Sequence, residues 1–175
     1  MPWGVGVGDV ENDGEPDILV GSGCFRGPDM EWYDSWWFHG EDGTFVDQGA
    51  ERGFAAAASG RGMALRDVNA DGVVDVVVGD ASRSPWVYLS DGCTAEAWIE
   101  VDAPAGSRVV VEADGVSRAA LAGPDTGWGS AASGPVHIGL GDVETVDRVT
   151  VYAPWHEPAV LEGPIDARQR VSWRP

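Results

Sequence analysis

Short apolar runs separated by glycine-rich turns fill the first half of this chain. They include 18–20 (Ile-Leu-Val), 36–38 (Trp-Trp-Phe), 63–65 (Met-Ala-Leu), 76–78 (Val-Val-Val) and 86–89 (Trp-Val-Tyr-Leu). Runs of this length, β-branched or aromatic and closed by glycines such as Gly21 and Gly79, predict buried strands. Period-two alternation in the aromatic run places Trp32, Trp36 and Phe38 on one side and Tyr33, Trp37 and His39 on the other, so one set should belong to a core. The Ala-rich stretch 48–59 reads as a helical turn between strand units. From about residue 97 the pattern becomes alternating, with strands expected at 107–112, 136–142, 146–151 and 165–171, as suits a sandwich whose sheets bury one face. The reading is an all-β protein of two regions, 1–95 and 96–175.

The first region contains an internal repeat. A nine-residue acidic loop occurs at 9–17 (Asp-Val-Glu-Asn-Asp-Gly-Glu-Pro-Asp) and at 67–75 (Asp-Val-Asn-Ala-Asp-Gly-Val-Val-Asp), the two starting 58 residues apart. Oxygen-bearing side chains stand at positions one, three, five and nine: Asp9, Glu11, Asp13 and Asp17, then Asp67, Asn69, Asp71 and Asp75. Gly14 and Gly72 hold position six, where positive φ lets the chain curl around an ion, and the carbonyl at position seven, Glu15 or Val73, completes the ligand set. Two calcium ions are expected, with Glu11, longer than the residue usual at its position, reaching its ion through water if at all. An EF-hand is excluded, because Val20 and Val78 stand where that loop needs a bidentate Glu, and strands follow instead of helices. The flanks repeat too: 3–8 leads into the first loop as 62–66 leads into the second, and an aromatic strand and a turn follow each. Four short strands per unit describe a propeller blade.

Composition narrows the function. The 175 residues carry 29 acidic side chains against 11 cations, all of them arginine, for a net charge of −18. Such a surface repels phosphate, which argues against nucleic-acid partners, and attracts divalent cations. No apolar stretch approaches the roughly 20 residues that span a bilayer. The chain opens directly into a predicted strand with no export signal, so an upstream part is expected and the setting is extracellular or cell-surface. Cys24 and Cys93 form an even pair compatible with one disulfide, which the sequence leaves open. His39, His137 and His156 lack ligand spacing to one another or to the cysteines, and there is no Gly-x-Ser-x-Gly elbow. The serines around 129–134 read as a loop, and the acidic group Asp142, Glu144 and Asp147 as a solvated turn. No catalytic residue is assigned and no enzyme is expected.

The acidic loops, the glycine-rich strand before each, and the Gly-Glu-Asp-Gly-Thr-Phe hairpin at 40–45 resemble FG-GAP/VCBS repeats. The resemblance covers about residues 1–93 and implies calcium-loop blades of an integrin-like β-propeller; because a propeller closes with about four to eight blades, it also implies a partial one. The second region resembles the ASPIC/UnbV domain of the cartilage acidic protein family through 137–141 (His-Ile-Gly-Leu-Gly), 146–151 (Val-Asp-Arg-Val-Thr-Val) and 166–171 (Asp-Ala-Arg-Gln-Arg-Val). It departs at 153–156 (Ala-Pro-Trp-His), where the family usually shows Trp-Pro and a glycine turn, and at 127–130 (Gly-Trp-Gly-Ser).

The function these features imply is calcium-dependent adhesion or recognition of an extracellular protein or glycan. Two alternatives stand beside it: a carbohydrate-binding module using exposed tryptophans, for which Trp37→Ala is the discriminating variant, and an accessory domain of an enzyme. Fewer than two blades leave strand edges to cover, so self-association is expected; failing that, the second region should cover them through Trp3, Trp36 and Trp86.

Overall fold

The computed structural model describes residues 1–23, 34–55, 59–92, 94–123, 130 and 134–173, and among these there are strands and turns but no helix. Cys24, Cys93, Trp32, Tyr33 and Trp128, for which the sequence raises expectations, lie outside the described residues. β1 (Pro2–Gly8), β2 (Asp17–Ser22), β3 (Trp36–Glu41) and β4 (Thr44–Asp47) form one antiparallel meander in chain order. β5 (Gly60–Arg66), β6 (Asp75–Asp80) and β7 (Trp86–Tyr88) form a second, so the second unit has three strands where four were expected. Its chain leaves for the other region after β7. None of the sheets closes into a barrel.

The two meanders share one core. Leu19 of β2, Met63 and Leu65 of β5, Val76 and Val78 of β6 and Phe54 of the connecting turn are all buried in it. Trp37 meets Phe54 edge to face at 6.1 Å, Phe54 meets Tyr88 at 4.9 Å, and the Arg52 guanidinium lies 4.9 Å over the Trp37 ring. Trp37 is thus packed on one side and half-buried. Neither face of β3 is simply exposed: Trp36, Trp37, Phe38 and His39 are all half-buried. In the stretch read as a helical turn, Arg52 N–H reaches the Gln48 carbonyl at 3.0 Å, a single turn that does not propagate among the described residues.

The second region is a two-sheet sandwich. β9 (Arg108–Ala113), β10 (Val116–Leu121), β12 (Thr145–Tyr152) and β13 (Ala159–Asp166) make one sheet in the order β10-β9-β12-β13; β8 (Ala97–Asp102), β11 (Val136–Gly141) and β14 (Gln169–Ser172) make the other in the order β11-β8-β14. Alternating residues fill the space between them, among them Ile99, Val101, Val109, Val111, Ile138, Leu140 and Val149. The stretch 165–171, read as one strand, is two. Arg168 takes a positive φ of 57°, so the chain leaves β12's neighbour β13 and crosses to run parallel to β8 as β14. Strands β8 and β10 had no counterpart among the expected ones.

Candidate metal centre

The two acidic loops have one backbone. Position four has positive φ in both, 68° at Asn12 and 62° at Ala70, as does the glycine at six, 93° at Gly14 and 88° at Gly72. Their hydrogen bonds also correspond. The first aspartate accepts the glycine N–H at 2.8 Å in each copy (Asp9 from Gly14, Asp67 from Gly72), and the aspartate at position five accepts the position-seven N–H at 2.9 Å (Asp13 from Glu15, Asp71 from Val73). The aspartate at nine is buried and ties the loop to its sheet. Asp17 accepts from Val10 at 3.1 Å and from Gly40 at 3.1 Å; Asp75 accepts from Val68 at 2.8 Å and from Ser90 at 2.7 Å.

Environment separates the copies. The second loop is open, with Asn69 and Asp71 exposed, and it satisfies itself. Desolvation pushes the Asp71 carboxyl up, but hydrogen bonds from Val73, Asn69 and Ser90 together outweigh it and hold it below the ordinary carboxylate value. The first loop is partly enclosed, with Asp9 and Glu11 half-buried and Asn12 and Asp17 buried, while Asp13 and Glu15 are exposed. Burial pushes the Asp9 carboxyl up to about 7, with the charges of Asp13 and Asp17 adding to it against hydrogen bonds from Gly14 and Asn12. Oδ1 of Asp9 and Oε2 of Glu11 are shut off from solvent without a hydrogen-bond partner. Orphaned buried carboxylate oxygens among further acids are what a cation would satisfy, and the all-oxygen set of the second loop suits calcium.

His39, which has no motif spacing to the loop, enters the first site from β3. Its Nδ1 lies 2.9 Å from Glu11 Oε2 and 3.1 Å from Asp17 Oδ1, and its Nε2 lies 3.8 Å from Asp13 Oδ2. Among the described residues, Glu11, Asp17 and His39 are a trio whose ligand atoms all fall within 4.8 Å of one another. Arg52 holds the other oxygen of Glu11.

Both loops rest on the sandwich. Asn12, fully buried at a position assigned no ligand role, donates from Nδ2 to the Gly72 carbonyl at 2.9 Å, pairs through Oδ1 with His137 Nε2 at 2.7 Å, and accepts the Gly141 N–H at 2.7 Å on its own carbonyl. One side chain thus links both loops and β11. A Cβ on Gly139 would lie 1.9 Å from Asp9 Oδ2 and 2.6 Å from the Asn12 Cα, so the His-Ile-Gly-Leu-Gly run is the seat of the first loop. Trp98 of β8, stacked 5.6 Å from His137, covers Gly72 in the same way. Trp3, Trp36 and Trp86, expected at this contact, are held within the meanders: Trp3 donates to the Gly23 carbonyl, Trp86 to Asp80, and Trp36 pairs with Val20. Among the described residues no helix is long and apolar enough to cross a membrane.

Residues 102–165, from the last residue of β8 to the penultimate residue of β13, match the family model described as ASPIC and UnbV. The acidic loops lie outside the matched span. No curated protein matches the chain.

Proposed function

We propose that this chain is a calcium-binding, non-enzymatic recognition module of the extracellular space or cell surface, in which two FG-GAP/VCBS-type blades seat their acidic loops on an ASPIC/UnbV sandwich. Asp67, Asn69, Asp71, the Val73 carbonyl and Asp75 hold one ion; Asp9, Glu11, Asp13, the Glu15 carbonyl and Asp17 line the other site. The observation that carries the reading is the repeat of one strained backbone, with positive φ at positions four and six, in two loops of different surroundings. A turn needed only for reversal would not have to keep four acidic or amide side chains at fixed places in it. Calcium supplies a hard, six-to-eight-coordinate oxygen centre, and the protein supplies the carboxylates and the braced loop.

Calorimetric titration tests this. The second loop should bind calcium with a dissociation constant in the range of roughly 10⁻⁴ to 10⁻³ M. At ten times that constant the ion should stabilise the fold by about 1.4 kcal/mol per site, read as a rise in melting temperature. Asp71→Ala should remove the second loop's share of the rise, whereas Asp142→Ala, in an exposed turn, should keep it. If the two variants behave alike, the loop is not the site.

The glycan reading has one further specific support besides Trp37. Trp155 is fully exposed at a turn after β12, with a positive φ of 64°. Glycan-array binding abolished by Trp155→Ala would favour it.

A further inference from the structure

We infer that the first loop is a mixed nitrogen–oxygen site, with Glu11, Asp17 and His39 as ligands, that takes a borderline divalent ion of the zinc class in preference to calcium. This rests on reading 9–17 as a cation loop and departs from that reading in the identity of the ion.

An imidazole nitrogen carries one hydrogen and can satisfy one acceptor. Here Nδ1 of His39 is directed to Asp17 Oδ1 at 3.1 Å. Oε2 of Glu11 lies 2.9 Å from the same nitrogen, is closed off from solvent, and takes part in no hydrogen bond. A metal in place of that hydrogen satisfies all three groups together. Bonds of about 2.0–2.2 Å in a tetrahedral centre set neighbouring ligand atoms roughly 3.3 Å apart, close to the 2.9 and 3.1 Å that already separate Nδ1 from the two carboxylate oxygens, and all three ligand atoms lie within 4.8 Å of one another. Three protein ligands leave a fourth position for solvent.

The comparison between the two loops points the same way. Besides positions four, seven and eight, they differ at position three, Glu11 against Asn69, and at the residue facing position nine across the sheet. The pairings Ile18 with Phe38 and Val76 with Tyr88 set His39 opposite Asp17 and Leu89 opposite Asp75. Two of the first loop's departures from the second are thus residues that meet each other. Their supports are in place as well. Arg52, stacked on Trp37, engages Oε1 of Glu11 and leaves only Oε2 for an ion, while the N–H groups of Val10 and Gly40 orient Asp17. Outer contacts of this kind orient metal ligands. A single-oxygen Glu beside an imidazole suits zinc, nickel or copper, whereas calcium takes six to eight oxygens.

The test is calorimetric titration of the full chain with zinc chloride and with calcium chloride. One zinc site is expected that tenfold excess calcium does not displace. His39→Gln should weaken zinc at least tenfold and leave calcium at the second loop within twofold, and His156→Gln should change neither. Should His39→Gln prove too unstable to titrate, the double variant Asn69→Glu, Leu89→His carries the question: a second zinc site supports the inference, and its failure to appear counts against it. Zinc binding indifferent to His39→Gln, or calcium filling the first loop as tightly as zinc, overturns the inference while leaving the calcium reading of the second loop intact. Zinc at the first loop with calcium at neither overturns the calcium reading alone.

Discussion

Asp9 and Asp71 occupy different positions in the two copies of one loop, and their surroundings send them in opposite directions. Asp71 faces water with its hydrogen bonds made, whereas Asp9 is walled in by Asn12, Gly139 and further acids, and its carboxyl rises to about 7 from an ordinary value of 3.8. A raised value means that the folded protein holds this proton more tightly than the unfolded chain does. The stabilisation is complete below about pH 4 and is lost as pH climbs through 7. Asp71, Asp80 and Asp102, all lowered, act in the opposite sense and only in more acid solution, so they do not mask Asp9 between pH 5 and 8, and comparison with Asp9→Asn separates its share from that of other groups. In chelator, the melting temperature should fall across that interval by the equivalent of a few kcal/mol at most. Asp9→Asn should flatten the fall. A cation at the loop should suppress it in the parent protein, since the ion takes the role of the proton; thermal melts with and without metal read all three.

At the scale of elements, β11 does two jobs. Val136, Ile138 and Leu140 point into the sandwich core, while His137 and the backbone at Gly139 and Gly141 receive the first loop. Period-two geometry makes this division natural, because alternate residues of a strand face opposite ways. Gly139 cannot accept a side chain without moving the Asn12 backbone, so Gly139→Ala should cost about 1–3 kcal/mol, in the range of overpacked sites. Gly79→Ala in β6 is the matched control, because a Cβ there meets its nearest neighbour at an ordinary 3.6 Å. Chemical denaturation of the two variants should separate them clearly. Equal losses would mean that loop and strand are not held together as described.

For the whole molecule, the junction joins two cores that share few apolar side chains. The meander core and the sandwich core are distinct clusters, and the contacts between them include hydrogen bonds from β11 to Asn12 and the close approach of Gly139 to the first loop and of Trp98 to Gly72. That seat covers the loop end of the meanders and, among the described residues, leaves other edges open. β4 lies at the edge of its sheet with all four residues exposed, Phe45 and Val46 among them at 50% and 49%. An apolar edge strand with unpaired backbone groups is a template for pairing with another chain. Light scattering over a concentration series should therefore show mass rising above 18.4 kDa, and Val46→Lys should reduce the rise. A mass constant at one chain throughout would refute the edge as a contact.

Sequence alone determined what is local. The loops were legible because a tight acidic turn needs glycine at one position and short oxygen-bearing side chains at others, and that demand leaves a pattern nine residues long. Strand character followed from short β-branched runs, and the second region's motifs from their order along the chain, with residues 102–165 matching the ASPIC and UnbV model. Local pattern failed where a single residue redirected the chain, as at Arg168, whose positive φ divides an apparently continuous strand between two sheets. Tertiary structure alone decided which groups meet over distance. His39 reaches the first loop across 22 residues from Asp17, and His137 reaches Asn12 across 125. Nothing in their spacing announces either contact, because strand pairing and sheet docking, rather than chain proximity, bring them together. The same holds for the charge state of Asp9, which depends on how much water the folded sandwich excludes from it.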